Sequence, residues 1–206
     1  METRFTKIYD KNIWGGSGGG SKFTADNKKY LKNIKEIIDE FKIENICDLG
    51  CGDWEIMKHF NLGGLDYYGL DCVKSVINAN RKYEKENIKF DCKDFSKEIP
   101  KGYDLIILKD VIQHWKDEEV YKFLPKLLRH NKFVYCVNGY KFMRKPEKNN
   151  WVKREIDKRY KFHPIEINRP PLNKFWENVV NISHRRCKEY ILFKGDTTIA
   201  ISQHNI

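Results

Sequence analysis

Ile46-Cys47-Asp48-Leu49-Gly50-Cys51-Gly52-Asp53-Trp54 is a short apolar strand that runs into a glycine turn. Glycine at 50 and 52 removes the Cβ atoms that would block a ligand's close approach. A helix expected over 53–60 would offer it unpaired N–H groups and a positive dipole end. The stretch predicts a nucleotide-like cofactor across the end of a parallel sheet, although glycine turns also serve plain strand-to-helix connections.

The neighbouring strands support the cofactor reading. Asp66-Tyr67-Tyr68-Gly69-Leu70-Asp71 ends in a carboxylate about 20 residues after the turn, where it can accept both ribose hydroxyls. Ile88-Lys89-Phe90-Asp91-Cys92 is followed by Asp94-Phe95, which sets an acceptor for an adenine amino group beside an aromatic face. Tyr103-Asp104-Leu105-Ile106-Ile107-Leu108 is the near-continuous apolar run of a strand buried on both faces, and it empties into Lys109-Asp110-Val111-Ile112-Gln113-His114-Trp115. A fifth strand is expected near 132–137. Helices expected near 53–60, 73–86 and 117–129 alternate with these strands, the pattern of a doubly wound, mostly parallel α/β sheet. A further helix, capped by Thr24 or Asp26, packs one face through Tyr30, Leu31, Ile34, Ile37, Ile38 and Phe41. Near the end, Lys188–Phe193 and Thr197–Ser202 flank Lys194-Gly195-Asp196 as an antiparallel hairpin.

Position 55 is Glu, so the third glycine of a dinucleotide fingerprint is missing. The D-L-G-C-G form instead resembles the class I S-adenosylmethionine-dependent methyltransferases, whose Rossmann-like fold has a seven-stranded, mostly parallel sheet with an antiparallel C-terminal hairpin. That resemblance implies S-adenosylmethionine as cofactor. Asp48, Gly50 and Gly52 would line its methionine half, Asp71 its ribose, and Asp94 and Phe95 its adenine, with Trp14, Cys51 and Lys109 also among the cofactor-binding residues. Asp110 to His114 would face the transferable methyl group. Phe5-Thr6-Lys7-Ile8-Tyr9-Asp10-Lys11-Asn12-Ile13-Trp14-Gly15 and Ser17-Gly18-Gly19-Gly20-Ser21 resemble the N-terminal lid of small bacterial and virus-encoded methyltransferases of glycan modification. That group shares G-C-G-D-W and D-V-x-Q-H, and its late basic-aromatic segment ending in Pro-Pro is matched loosely by Arg159–Ile167 and Arg169-Pro170-Pro171-Leu172. The resemblance implies methyl transfer to a sugar hydroxyl of a glycan, with a deoxysugar such as rhamnose as one form.

The 206 residues suit a single domain over 1–206, with 1–22 as the lid segment and 138–183 as an acceptor-binding insertion. Trp151, Tyr160, Phe162, His163, Phe175 and Trp176 concentrate in that insertion. Their rings suit stacking on sugars or bases, and equally a small satellite core. Cysteines at 47, 51, 72, 92, 136 and 187 form no C-x-x-C pair or zinc spacing, and read as buried thiols in a reducing compartment. No apolar run is long enough to span a membrane and the N-terminus is polar, so a cytoplasmic location without membrane insertion is expected.

The net charge of +10 invites a nucleic-acid partner. Lys141-Phe142-Met143-Arg144-Lys145 and Lys153 to Lys161 could contact phosphates beside aromatic stacking, but lysine is spread over the whole chain. A nucleic-acid methyltransferase acting on ribose or base is therefore the alternative. The strand-four exit reads Leu-Lys-Asp-Val and not the N/D-P-P-Y/F form that resembles amino-directed base methylation.

Methyl transfer from a sulfonium is an in-line displacement, so the acceptor oxygen must be placed about 3 Å from the methyl carbon. A protonated sugar hydroxyl is a poor nucleophile, and His114 is the candidate base because imidazole titrates near working pH. Asp110, expected one helical turn before His114, either orients that histidine or takes the proton itself. Trp14 and Tyr9 would close over the methyl site and exclude water. A divalent cation is a second candidate cofactor, though no compact carboxylate cluster marks a site for it.

Overall fold

The computed structural model describes residues 2–13, 15–17, 22–139, 165–186 and 188–196. Its elements in chain order are α1 (Glu2–Asp10), α2 (Ala25–Phe41), β1 (Asn45–Leu49), β2 (Asp66–Asp71), α3 (Lys74–Asn80), β3 (Ile88–Cys92), β4 (Leu105–Lys109), α4 (Asp117–His130), β5 (Phe133–Gly139), β6 (Val179–Arg185) and β7 (Lys188–Lys194). The strands form a seven-stranded sheet of order β3-β2-β1-β4-β5-β7-β6, with an antiparallel hairpin at its C-terminal end. The chain divides into two compact units, residues 1–107 and 108–206, and the division falls inside β4.

In the first unit β1 pairs in parallel with β2 on one side and with β4 on the other. Ile46, Cys47 and Leu49 of β1 and Ile106 and Ile107 of β4 are fully buried, as continuous apolar runs in a two-sided sheet require. Burying one such aliphatic side chain contributes about 2 kcal/mol. At the strand starts, Asp104 accepts the Glu44 amide at 2.9 Å, and the Asp104 amide donates to the Asn45 side chain at 2.9 Å.

In the second unit β5 runs antiparallel to β7, with Val134 opposite Phe193 and Asn138 opposite Glu189. α4 buries Val120, Phe123, Leu124, Leu127 and Leu128. Its first turn carries Asp117, Glu118 and Glu119 and its last turn Arg129 and His130, charges that complement the helix dipole. The Lys116 amide donates to the Glu119 carboxylate at 2.7 Å, satisfying a donor at the helix start.

Three sequence expectations are corrected. No α-helix follows the glycine turn: the chain there makes turns and a 3-10 helix over Met57–His59. The helix expected over 73–86 ends at Asn80 and continues only as a 3-10 helix to Tyr83. Lys188–Phe193 does form a strand, but it pairs with Val179–Arg185, and Thr197–Ser202 lies outside the described residues. Val179–Arg185 escapes pattern reading because a register irregularity between Val179 and Asn181 breaks its alternation, and its residues are all half-buried or exposed. α1 makes part of the N-terminal segment helical. Thr24 does stand at the N-cap of α2, without a side-chain bond to the helix.

Candidate active site

In the first unit the glycine turn is held from every side. Gly50 and Gly52 adopt positive φ (79° and 56°), which is why glycine stands at both positions. The Gly50 and Cys51 amides donate to the Leu70 carbonyl at 2.7 and 3.0 Å. The Gly52 amide donates to Asp71 Oδ2 at 3.1 Å, and the Gly52 carbonyl accepts from the buried Asn80 side chain at 2.7 Å. The Asp53 amide donates to Ser17 Oγ at 2.8 Å. Four successive amides are thus satisfied within the protein, so the turn is not an anion nest. That arrangement suits a cofactor without a phosphate and argues against a pyrophosphate one.

Asp71, at the end of β2, is 7 % exposed and keeps a second bond from the Val73 amide to Oδ1 at 3.0 Å. Burial pushes its carboxyl up, against the lowering pull of the Val73, Gly52 and Cys72 amides. Asp48 is also buried and accepts the Tyr67 hydroxyl at 2.7 Å. Tyr67 itself is packed against Trp54 and Phe90. Trp54 takes a positive φ of 57° and buries its ring, which draws the chain away from the helical path that the sequence suggests.

Burial, with Asp71 and Asp48 nearby, holds the Cys51 thiol well above its ordinary range. After β3, Asp94 Oδ1 accepts both the amide and the hydroxyl of Ser96, at 3.2 and 2.5 Å, and Phe95 is buried. Burial would raise the Asp94 carboxyl, but these Ser96 bonds and Lys97 hold it low.

The N-terminal segment rests on the same turn. Tyr9 and Ser17 hydroxyls are 2.7 Å apart, and the Ser17 amide donates to Asp53 Oδ2 at 2.9 Å. A Cβ on Gly52 would run into Ser17 and reach within 3.1 Å of the Tyr9 hydroxyl. Burial and the nearby Asp71 charge push the Tyr9 hydroxyl far above its usual range, so it stays protonated. Trp14 lies outside the described residues.

In the second unit the chain leaving β4 turns sharply. Asp110 adopts φ 60°, donates its amide to the Val137 carbonyl at 2.8 Å, and leads into a 3-10 helix over Ile112–His114. Asp110 and His114 are therefore not one turn apart on a common α-helix, which corrects the spacing argument. The Asp110 carboxylate is clamped: Lys109 Nζ donates to Oδ2 at 2.9 Å and Lys188 Nζ donates to Oδ1. Burial would raise the carboxyl, but the two ammonium groups outweigh it and hold it well below the usual carboxylate range. Gln113, 6 % exposed, accepts the Gly139 amide at 2.7 Å and ties the 3-10 helix to the end of β5.

Beside this cluster Asn138 is buried, its Oδ1 has no partner among the described residues, and its amide nitrogen donates to the Cys136 sulfur at 3.1 Å. Buried Glu189 accepts the Ile167 amide at 2.7 Å and stands 2.9 Å from His184 Nε2. The Ile165 amide donates to the Gly139 carbonyl at 2.8 Å, closing the stem of the 138–183 segment. Most of its aromatic residues, Trp151, Tyr160, Phe162 and His163, lie outside the described residues, as do the basic clusters at 141–145 and 153–161. Phe175 is core, whereas Trp176 is 46 % exposed.

Sequence reading missed Lys188, Glu189, Ser17 and Asn80. The first two looked like the polar fringe of a strand, and only the register with β5 brings Lys188 opposite Gly139. Among the described residues no group of three His, Cys, Asp or Glu side chains is placed to hold a metal ion. No described helix is long and apolar enough to cross a membrane.

Residues 40–169 match the family model for a methyltransferase domain. Curated protein sequences yield no match. Among solved structures, magnesium protoporphyrin IX methyltransferase from Synechocystis PCC 6803 with bound S-adenosylmethionine is 13 % identical, with 95 % of this chain and 97 % of that one covered at TM-score 0.59. Mitomycin 7-O-methyltransferase MmcR is 13 % identical over 81 % of this chain and 54 % of its own at TM-score 0.55. The 16S rRNA methylase ArmA is 15 % identical over 95 % and 98 % at TM-score 0.56. The acceptors named for these proteins are chemically unrelated, so the likeness speaks for the fold.

Proposed function

This chain belongs to the methyltransferase domain family, and we propose that it is an S-adenosylmethionine-dependent O-methyltransferase acting on a sugar hydroxyl of a glycan. The observation that carries the proposal is the polar exit of β4, where Asp110 is held ionised between two lysines and His114 closes the 3-10 helix that follows. A carboxylate so strongly stabilised as an anion is a poor proton acceptor, which leaves that role to His114. The resemblance of the N-terminal segment and of Asp110-Val111-Ile112-Gln113-His114 to glycan-modifying methyltransferases supplies the acceptor class.

The bound cofactor supplies an electrophilic methyl group on a positively charged sulfur. Asp71 accepts its ribose hydroxyls with the lone pairs left beside the Gly52 and Val73 amides, and Asp94 and Phe95 hold its adenine. Asp48, oriented by the Tyr67 hydroxyl, faces its amino-acid end. Tyr9 and Ser17 close the N-terminal segment over the glycine turn and exclude water. His114 would take the proton of the acceptor hydroxyl as the oxygen–methyl bond forms and the sulfur–methyl bond breaks with its electron pair left on a neutral sulfur, and Asp110 keeps the turn that carries His114 in place. The Lys109 side chain, only 12 % exposed, serves through its bond to Asp110.

Binding measured against salt tests the acceptor class. Neutral oligosaccharide should bind with little salt dependence. A steep salt slope on RNA or DNA, with no oligosaccharide binding, would move the acceptor to nucleic acid.

A further inference from the structure

Lys188 opens β7, and the antiparallel register with β5 puts it opposite Gly139. Its ammonium reaches the carboxylate of Asp110, a residue far away in sequence that stands in the left-handed region at φ 60°. A non-glycine residue persists there only when its surroundings over-determine it. Here three contacts do so: the Asp110 amide on the Val137 carbonyl, Lys109 on one carboxylate oxygen and Lys188 on the other. The turn that follows is fastened at its far end by Gln113 on the Gly139 amide. Lys188 therefore sits where β5, β7 and the 110–114 turn converge, and its side chain is 21 % exposed, partly shielded from water. Lys109 is adjacent to Asp110 in the chain and follows it if it moves. Lys188 is the anchor on a separate strand.

We propose that Lys188 is a positioning residue for methyl transfer: by fixing the Asp110 carboxylate from β7 it holds the turn that presents His114. The inference rests on the O-methyltransferase reading for its activity test and on the structure alone for its coupling test. Lys188 does not touch the cofactor or the acceptor in this account. It acts through Asp110, so its effect must vanish when Asp110 is gone.

The experiment compares wild type, Lys188→Met, Lys188→Arg, Asp110→Ala and the Asp110→Ala/Lys188→Met double variant, with Lys188→Gln replacing the methionine variant should that one not fold. Cofactor binding by calorimetry should stay within about threefold of wild type in all of them. With labelled cofactor and a glycan that wild type methylates, Lys188→Met should lower kcat about 30-fold or more while the acceptor KM changes by about threefold or less. Lys188→Arg should recover most of that loss. The double variant should be no slower than Asp110→Ala. Losses that multiply in the double variant, or arginine as poor as methionine, would overturn the proposal. Should wild type methylate no glycan, the acceptor reading fails on its own, and thermal unfolding of the same proteins decides the coupling: Tm losses that add in the double variant contradict it, and losses that do not add sustain it.

Discussion

Ser17 and Asp53 are joined reciprocally: the Asp53 amide donates to the Ser17 hydroxyl at 2.8 Å, and the Ser17 amide donates to the Asp53 carboxylate at 2.9 Å. Through this pair the N-terminal segment becomes the roof of the glycine turn. Glycine at 52 then has two grounds, a positive φ and the Ser17 and Tyr9 side chains seated on it.

Ser17→Ala removes the acceptor of the Asp53 amide and the partner of Tyr9, and should cost about 1 kcal/mol of stability in chemical denaturation. Gly52→Ala should cost more, about 2 kcal/mol or above, because it adds left-handed strain to a collision with Ser17. The alanine at 52 proving the milder change would show that the segment does not rest on the turn.

Asp71→Ala should weaken S-adenosylmethionine binding at least about tenfold in calorimetry, since the ribose loses its charged acceptor and the Gly52 amide loses its partner. Asp71→Asn should retain part of the affinity by keeping an oxygen in place. An unchanged dissociation constant in the alanine variant would remove Asp71 from the cofactor site.

The lysine clamp predicts an acid-dependent stability. The folded carboxyl of Asp110 lies below its unfolded value of about 3.9. Its contribution is therefore complete above that value and is lost as pH falls through it toward the depressed native value. Asp110→Asn should cost about 2 kcal/mol near pH 7, with the gap to wild type narrowing below about pH 4. A gap that stays constant between pH 7 and pH 3 in denaturant titrations would mean that the clamp does not hold the anion.

His114→Ala should lower turnover by about 10²-fold while cofactor affinity stays within about tenfold. A small loss equal to that of Asp110→Ala would leave His114 without the role of base.

The legible parts of the fold were those where one physical demand dominates. The apolar run of β4 and the carboxylate ending β2 were readable because two-sided burial and a strand-end acid leave little choice of residue. The path after Gly52 was not, since Trp54 abandons helix to bury its ring against Tyr67, Tyr83 and Phe90, a tertiary choice that no local pattern carries. Of the candidate site, Asp48, Asp71 and Asp110 are legible as acids at or near strand ends. Lys188 was invisible because its partner lies across the sheet, and Ser17 because its partner Asp53 is 36 residues away in the chain.

The most direct test of the account is methyl transfer from labelled S-adenosylmethionine to a panel of rhamnose- and other deoxysugar-containing glycans, run beside RNA and DNA. The account predicts label on a glycan hydroxyl and its loss in His114→Ala. Label on nucleic acid alone would contradict it.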